Sequence, residues 1–256
     1  MTGTVSLHYV EHGTGEPVVV LHGLFGSSRN WQTAAKRFST AYRVITVDLR
    51  NHGDSPHTET MSYPEMAADV SALIDVLDMA PVTIVGHSMG GKVAMTLALT
   101  RPQQVTRLVS VDIAPVQYSD SYGHIVDALL RLNLAELKDR AQAERQLAID
   151  ITDPRLSRFL LHNLVRDNET FSWRFNLPGI RSNLHQVMSF PALTARYPGP
   201  TLFIRGELSR AVRSEHEPQI RAYFPTATIE TIAGGGHWLH SDKPDEFFGL
   251  VTRFLG

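Results

Sequence analysis

The chain has 256 residues, of which 43% are hydrophobic and 20% charged, as in an ordinary globular protein with one large domain or two small ones. A net charge of −2 gives no reason to expect nucleic acid or an anionic membrane as a partner. The lack of cysteine excludes disulfides, thiolate metal sites and a cysteine nucleophile. No basic segment followed by an apolar core is visible at the N-terminus, so we expect a cytoplasmic protein.

Strands and helices alternate along the first half of the chain. Residues 5–10 alternate weakly, as a short edge strand does, and residues 17–21 form the continuous β-branched run of a strand buried on both faces. A helix is predicted over residues 28–39, a strand over 42–49, and a helix over 62–79 that begins with a capping box. This alternation predicts an α/β protein with a doubly wound, mostly parallel sheet.

Residues 83–92 carry the strongest functional signal. The β-branched run 82–85 enters a Gly-x-Ser-x-Gly turn at residues 86–90, and a helix-like segment over 91–100 follows. Strand, sharp turn and helix are the context of a nucleophile elbow, in which Ser88 would project from the sheet edge. The N–H groups at the start of that helix would face the serine oxygen, where negative charge could be stabilised.

The pattern changes after a further strand over residues 105–113. Residues 114–200 contain helical stretches rich in Leu, Arg and Ala and no strong strand run, which predicts a helical lid over the sheet edge. The core that contains the sheet would then comprise residues 1–113 and 201–256. Lid helices are predicted over residues 125–149, 156–165 and 177–190, core strands over 201–205 and 227–232, and a closing helix over 245–255.

A serine nucleophile needs a base to take its proton and an acid to hold that base in the right tautomer. His237 is the candidate base, because it follows three glycines in a loop that can reach the sheet edge. The acid usually follows the strand at residues 201–205, but Ser209 stands where an aspartate is expected. Asp112, at the end of the strand after the elbow helix, is the preferred acid, and Glu207 is the alternative. Ser209 would hydrogen-bond either the acid or the base.

An oxyanion hole needs two backbone N–H donors. Met89, directly after the serine, is the first predicted donor, and Leu24 in the His-Gly-Leu-Phe-Gly segment is the second. Phe25 is a less favoured second donor and is expected to line the acyl pocket. Trp173 and Trp238 are further candidates for the pocket wall, although aromatic residues in a lid are about as often its own small core.

Metal and phosphate sites are not indicated. Twelve histidines occur without the spacing of a His-Glu-x-x-His or comparable ligand set, and His22 and His87 are interpreted as residues that brace loops. The Gly-Gly-Lys segment ending at Lys92 lacks the first glycine and the Ser or Thr of a phosphate loop. We therefore expect no cofactor and no metal.

Together these motifs resemble the α/β-hydrolase superfamily, and more narrowly the YbfF group of small bacterial esterases. The resemblance implies catalysis by Ser88, Asp112 and His237, with Ser209 near the triad. It also implies short-chain acyl esters, or acyl-CoA thioesters, as substrates. The segments that carry the resemblance are residues 22–27, 48–53, 86–92, 112–116, 173–176 and 236–238.

The preferred function is therefore carboxylic-ester hydrolysis of a small-molecule substrate. A thioesterase is the first alternative, in which Arg174 or Arg181 of the lid would meet a CoA phosphate rather than form a solvated lid face. Carbon–carbon bond hydrolysis or elimination with the same triad is a second alternative. A non-catalytic receptor is a third, because related folds also serve as binding proteins. The sequence leaves the oligomeric state open.

Overall fold

The structure, a computed structural model, describes residues 3–119, 122–168 and 170–256. Strands and helices alternate in it as the sequence predicts, and most sheet strands lie close to their expected bounds, whereas the edge strand expected over residues 5–10 is found at Tyr9–His12. The strands are β1 (Tyr9–His12), β2 (Pro17–Leu21), β3 (Arg43–Val47), β4 (Val82–His87), β5 (Val105–Val111), β6 (Leu164–Asp167), β7 (Thr170–Trp173), β8 (Thr201–Gly206) and β9 (Ala227–Ile232).

One sheet dominates the described part of the chain, with its seven strands in the order β1-β3-β2-β4-β5-β8-β9. Only β1 runs antiparallel to its neighbour, and the other pairings are parallel. The β-branched strands β2 and β4 lie in the middle, where both faces are covered, which explains their continuous apolar sequences. The predicted doubly wound α/β fold is confirmed.

Helices cover both faces of this sheet. The largest apolar cluster includes residues of α2 and α3, and a second cluster on the other face joins α1 to α10. The predicted capping box opens α2, since Ser62 Oγ accepts from the N–H of Glu65 and the Glu65 carboxylate accepts from the N–H of Ser62. The helices are α1 (Gln32–Phe38), α2 (Tyr63–Val76), α3 (Met89–Thr100), α4 (Gly123–Arg131), α5 (Arg140–Leu147), α6 (Pro154–Leu161), α7 (Leu177–Met188), α8 (Glu217–Tyr223), α9 (Leu239–Asp242) and α10 (Pro244–Leu255), with 3₁₀ turns at Ser28–Trp31, Pro102–Gln104, Leu134–Glu136 and Ser214–His216.

The region between β5 and β8 differs in detail from the predicted helical lid. The stretch expected to be helical over residues 125–149 is broken into α4, a 3₁₀ turn and α5, because Asp139 is extended and caps a new helix by accepting from the N–H of Gln142. The second expected helix ends at Leu161, and β6 pairs with β7 in an antiparallel hairpin that the sequence analysis did not predict. The division of the chain into a core and a lid stays a prediction. No helix among the described residues has the length and apolar character needed to cross a membrane.

Candidate active site

Ser88 occupies the sharp turn between β4 and α3. Its backbone is in a left-handed conformation, with φ 51° and ψ −120°, and its N–H donates to the carbonyl of Val111 over 3.0 Å. A methyl group on Gly86 would lie 2.2 Å from the carbonyl oxygen of Gly90, and one on Gly90 would lie 2.5 Å from that of His22. The two glycines are therefore required for the close approach that allows the strained turn.

Asp112 follows β5 and is fully buried, with φ 51°. Its Oδ2 lies 2.6 Å from Nδ1 of His237 and accepts a hydrogen bond from the Ser209 hydroxyl, while its Oδ1 accepts from the N–H of Gly206 over 3.1 Å. Glu207 instead accepts from the N–H of Gly234 over 2.7 Å at the surface. The geometry therefore brings Asp112, and not Glu207, to the imidazole.

The loop after β9 presents His237. The carbonyl of His237 accepts from Nε2 of His87 over 2.8 Å, and the two imidazole rings are 4.7 Å apart. Burial, together with the neighbouring imidazole, keeps the pKa of His87 well below its ordinary value, so this side chain is neutral and acts as a fixed donor. His87 was expected to brace a loop, and the loop that it holds is the one that carries the candidate base.

The segment with the candidate oxyanion donors is held by buried histidines. Nε2 of His52 accepts from the N–H of Phe25 over 3.2 Å, and its Nδ1 donates to the carbonyl of Arg50 over 3.0 Å. Burial lowers the pKa of His52 to about 3, so the ring is neutral and keeps this tautomer. The Phe25 N–H is thus engaged, which leaves Leu24 as the better-placed second donor beside Met89.

A lid side chain also contacts the oxyanion segment. Phe25 has φ 60°, and its carbonyl accepts from Nδ2 of Asn163 over 2.8 Å. Asn163 is buried between α6 and β6, and the Phe25 ring packs 5.3 Å from that of Phe175. Sequence reasoning did not identify Asn163, because a single asparagine in a helical region has no local signal for such a contact.

Two cavities meet at Ser88, Leu24, Tyr122 and His237. The first, here called the aromatic cavity, has a volume of about 270 Å³. The second, called the lysine cavity, has a volume of about 240 Å³. The aromatic cavity is also lined by Phe25, Trp31, His87, Leu156, Phe159, Trp238 and His240, and the lysine cavity by Tyr63, Met89, Lys92, Ile113, Tyr118, Val187, Met188 and Arg210.

Phe25 and Trp238, two of the expected pocket residues, therefore lie in the aromatic cavity, whereas Trp173 does not line either cavity. The indole of Trp173 stacks on Phe175 at 5.1 Å and packs, partly buried, against the large apolar cluster that also includes residues of the central sheet. The two arginines considered for phosphate binding form surface ion pairs, Arg174 with Asp54 and Arg181 with Asp127.

A possible cation-binding group among the described residues consists of His8, Asp48 and Asp54, whose ligand atoms lie within 4.8 Å of one another. Asp48 already accepts from the N–H groups of Ser28 and Asp54, over 2.6 and 2.9 Å. The carboxylate thus braces the turn after β3, and the group carries no metal-site assignment.

Seven strands in this order, an elbow serine and an aspartate–histidine pair at the ends of parallel strands define a class of hydrolytic enzymes. The family model for the α/β hydrolase fold matches residues 16–244, and the chain belongs to this family. Several of its relatives are named as esterases or lipases, and the chain is a hydrolase of this family.

Named relatives narrow the class. The esterase YbfF of Escherichia coli is 35% identical over 93% of this chain and 92% of its own length, which confirms the resemblance to that group. The sn-1-specific diacylglycerol lipase ABHD11 of Xenopus laevis is 43% identical, with 94% of this chain and 80% of the relative aligned. The solved structure of a marine microorganism esterase superposes with a TM-score of 0.96 at 36% identity, covering 98% of this chain and 100% of that one.

Proposed function

We propose that the protein hydrolyses short-chain carboxylic esters through an acyl-enzyme formed on Ser88. The observation that carries this proposal is the 2.6 Å contact between His237 Nδ1 and Asp112 Oδ2 at the cavities that Ser88 lines. Because Nδ1 is bound to a carboxylate, Nε2 is left free to accept the serine proton. Relatives named as esterases and lipases support ester hydrolysis as the activity.

In the first half-reaction, His237 takes the hydroxyl proton while Ser88 attacks the acyl carbonyl. Asp112 stabilises the imidazolium, and the N–H groups of Leu24 and Met89 hold the oxyanion of the tetrahedral intermediate. The imidazolium then protonates the leaving alcohol. Water enters, loses a proton to His237 and attacks the acyl-enzyme, so that the carboxylic acid is released and Ser88 is restored.

Cavity size supports short acyl groups. Pockets for drug-sized ligands usually have volumes of about 300–1,000 Å³. The two cavities, at about 270 and 240 Å³, lie below this range. An acyl group in one cavity and a leaving group in the other would each be small.

The cytoplasmic location stays a prediction.

The test of the mechanism is Ser88→Ala with p-nitrophenyl butyrate as substrate. We expect kcat to fall by about 10⁶, because the nucleophile acts as a unit with its base. A fluorophosphonate probe should label the wild-type protein and leave the variant unlabelled. Turnover that survives in the variant would rule out the serine mechanism, and an unreactive wild-type serine would instead favour a receptor.

A thioester with a phosphate-bearing leaving group is a second candidate, supported by a groove that adjoins the aromatic cavity. This arginine groove has a volume of about 450 Å³, shares Phe159, Trp238 and His240 with the aromatic cavity, and is also lined by Arg29, Arg155 and Arg158. Arginine clusters suit phosphate groups, and Arg158 has no carboxylate partner among the described residues, whereas Arg29 and Arg155 form ion pairs with Asp54 and Asp242. The proposal predicts that butyryl-CoA is hydrolysed with a lower KM than the butyryl thioester of N-acetylcysteamine, which lacks phosphate. Arg158→Gln should abolish that difference, whereas Arg181→Gln should preserve it.

A further inference from the structure

Lys92 is a buried lysine with no role in the mechanism above. It lies in α3 four residues after Ser88, which corresponds to about 6 Å of helix rise. Only 1% of its surface is exposed, and it lines the lysine cavity. Burying an ammonium group is costly unless it is hydrogen-bonded and its charge is compensated. Its surroundings therefore indicate what the cavity can hold.

The ammonium group has hydrogen-bond acceptors for two of its three hydrogen atoms and two aromatic rings nearby, but no carboxylate partner among the described residues. Nζ donates to the carbonyl oxygens of Ser189, at 2.5 Å, and Met188, at 3.3 Å, at the end of α7. It also stands 4.7 Å from the ring centre of Tyr118 and 5.5 Å from that of Tyr63. A lysine has three N–H donors, so one is left. No Asp or Glu of the described residues forms an ion pair with it.

The other polar groups of the lysine cavity are directed elsewhere. The Tyr63 hydroxyl donates to the carbonyl of Val187 over 2.6 Å. The Tyr118 hydroxyl donates to the carbonyl of Ala211 and accepts from the N–H of Ala114. Arg210, a second cation, also lines the cavity, whereas no carboxylate does among the described residues. Away from Ser88 and His237, the charged groups of the cavity are therefore Lys92, which is buried, and Arg210, which is exposed.

We propose that the lysine cavity receives the acyl group and that Lys92 binds a carboxylate at its far end, so that the enzyme favours monoesters of short dicarboxylic acids. This inference rests on the proposed acyl-enzyme at Ser88. The carboxylate would supply the missing countercharge and accept the remaining N–H in a charge-assisted hydrogen bond. A cavity of about 240 Å³ suits a chain of few carbons between the scissile carbonyl and that carboxylate.

The protonation behaviour of Lys92 is consistent with this assignment. Burial lowers the pKa of Lys92 to about 7, so the ammonium form is only partly populated near neutral pH. A carboxylate within hydrogen-bond distance favours the charged form and raises the pKa again. Binding of the anionic substrate would therefore be coupled to the uptake of one proton from solvent by Lys92.

The experiment compares mono-p-nitrophenyl glutarate with p-nitrophenyl pentanoate, which share the leaving group and the number of acyl carbons. We expect the wild-type protein to favour the glutarate ester in kcat/KM. Lys92→Met, which keeps an unbranched side chain but removes the ammonium group, should reduce that preference by about 10- to 100-fold, mainly through KM. Lys92→Arg should retain most of it. Lys138→Met, a change at an exposed lid lysine, is the matched control and should leave the preference unchanged.

The ratio of the two activities is independent of how much of a variant is folded. An unchanged ratio in Lys92→Met would overturn the proposal, whether both activities stay the same or both fall equally. Lys92 would then only hold residues 188 and 189 in place. If the Met variant does not fold, competitive inhibition of the wild-type protein decides: glutarate should inhibit more strongly than pentanoate, and the reverse order overturns the proposal. Failure of the proposed function is distinct, because neither ester would then be hydrolysed and the fluorophosphonate would not label Ser88.

Discussion

The core supplies Ser88, Asp112 and His237 from the ends of β4, β5 and the loop after β9, whereas the region between β5 and β8 supplies braces and walls. The core groups are positioned by strands whose registers are fixed by backbone hydrogen bonds. The lid acts through side chains, such as the amide of Asn163 on the Phe25 carbonyl. We therefore expect the core to determine the chemistry and the predicted lid to determine the shape of the site, so that substitutions in the two regions affect different kinetic constants.

The largest effect is expected in the core. Asp112→Asn should lower kcat by about 10⁴, because the asparagine amide would favour the wrong tautomer of His237. Glu207→Gln should leave kcat near the wild-type value, since Glu207 accepts from Gly234 at the surface. Both are measured with p-nitrophenyl butyrate. If Glu207→Gln lost its activity and Asp112→Asn kept it, the assignment of the acid would be reversed.

A smaller effect tests whether the lid also reaches the chemistry. Asn163→Asp removes the donor to the Phe25 carbonyl and places a carboxylate there, so that the neighbouring Leu24 N–H should shift. We expect kcat to fall by about 10- to 100-fold with KM little changed, which is less than the loss of a whole oxyanion donor.

The matched control is Asn183→Asp. Asn183 is another buried lid asparagine, and its Nδ2 donates to the carbonyl of Glu59 over 2.8 Å, with no contact to the oxyanion segment. This variant should lose stability while its kcat stays near the wild-type value. Equal kcat losses in the two variants would mean that Asn163 only holds the lid in place.

We expect the pH dependence of stability to depend in part on His240, a half-buried imidazole in α9. Burial lowers the pKa of His240 to about 4, and its Nδ1 is buried without a hydrogen-bond partner. The unfolded state binds this proton near pH 6.5, so the folded state loses stability as the pH falls from about 6.5 to 4.

His240→Phe should reduce that loss, by on the order of 2 kcal/mol at pH 5, while keeping the stack on Trp31. Urea unfolding at pH 7.5 and pH 5 measures the difference in the free energy of unfolding between the two pH values. His185→Phe, at an exposed lid position, is the control and should not alter the pH dependence. An identical loss of stability in wild type and His240→Phe would contradict the prediction.

The smallest effect is expected at Trp173. Because its indole stacks on Phe175 outside both cavities, Trp173→Phe should change KM by less than about twofold. Phe159→Ala should change KM several-fold, since Phe159 lines the aromatic cavity. Equal effects would show that the lid rearranges when substrate binds.

Most of the core could be predicted because its strands are continuous β-branched runs and α2 begins with a capping box. The hairpin of β6 and β7 was missed, since its strands have four residues each and such runs do not show a clear period. Helix α8 also went unpredicted. Lid helices were predicted too long, because an apolar helical pattern does not show where an aspartate will start a new helix.

For the candidate site, the sequence favoured Asp112 over Glu207 as the acid because Asp112 ends a predicted parallel strand, but it could not give the distance of either carboxylate from His237. Lys92 was considered only as part of a phosphate loop. The available signal was its position one turn after the serine, as the one charged residue in the sequence of α3. Nothing local marked Asn163, because its contact with Phe25 joins residues 138 positions apart.

The sequence by itself determined the elbow, since the sterics of Gly86, Ser88 and Gly90 act within a few residues. It also determined the alternation of strands and helices that makes the α/β fold. Only the tertiary structure decided that Asp112 meets His237, 125 residues away, because the neighbouring positions of β5, β8 and β9 bring their carboxyl ends together. The residues that line the two cavities come from distant parts of the chain, and packing between the core and the predicted lid brings them together. No short segment of the sequence shows that packing.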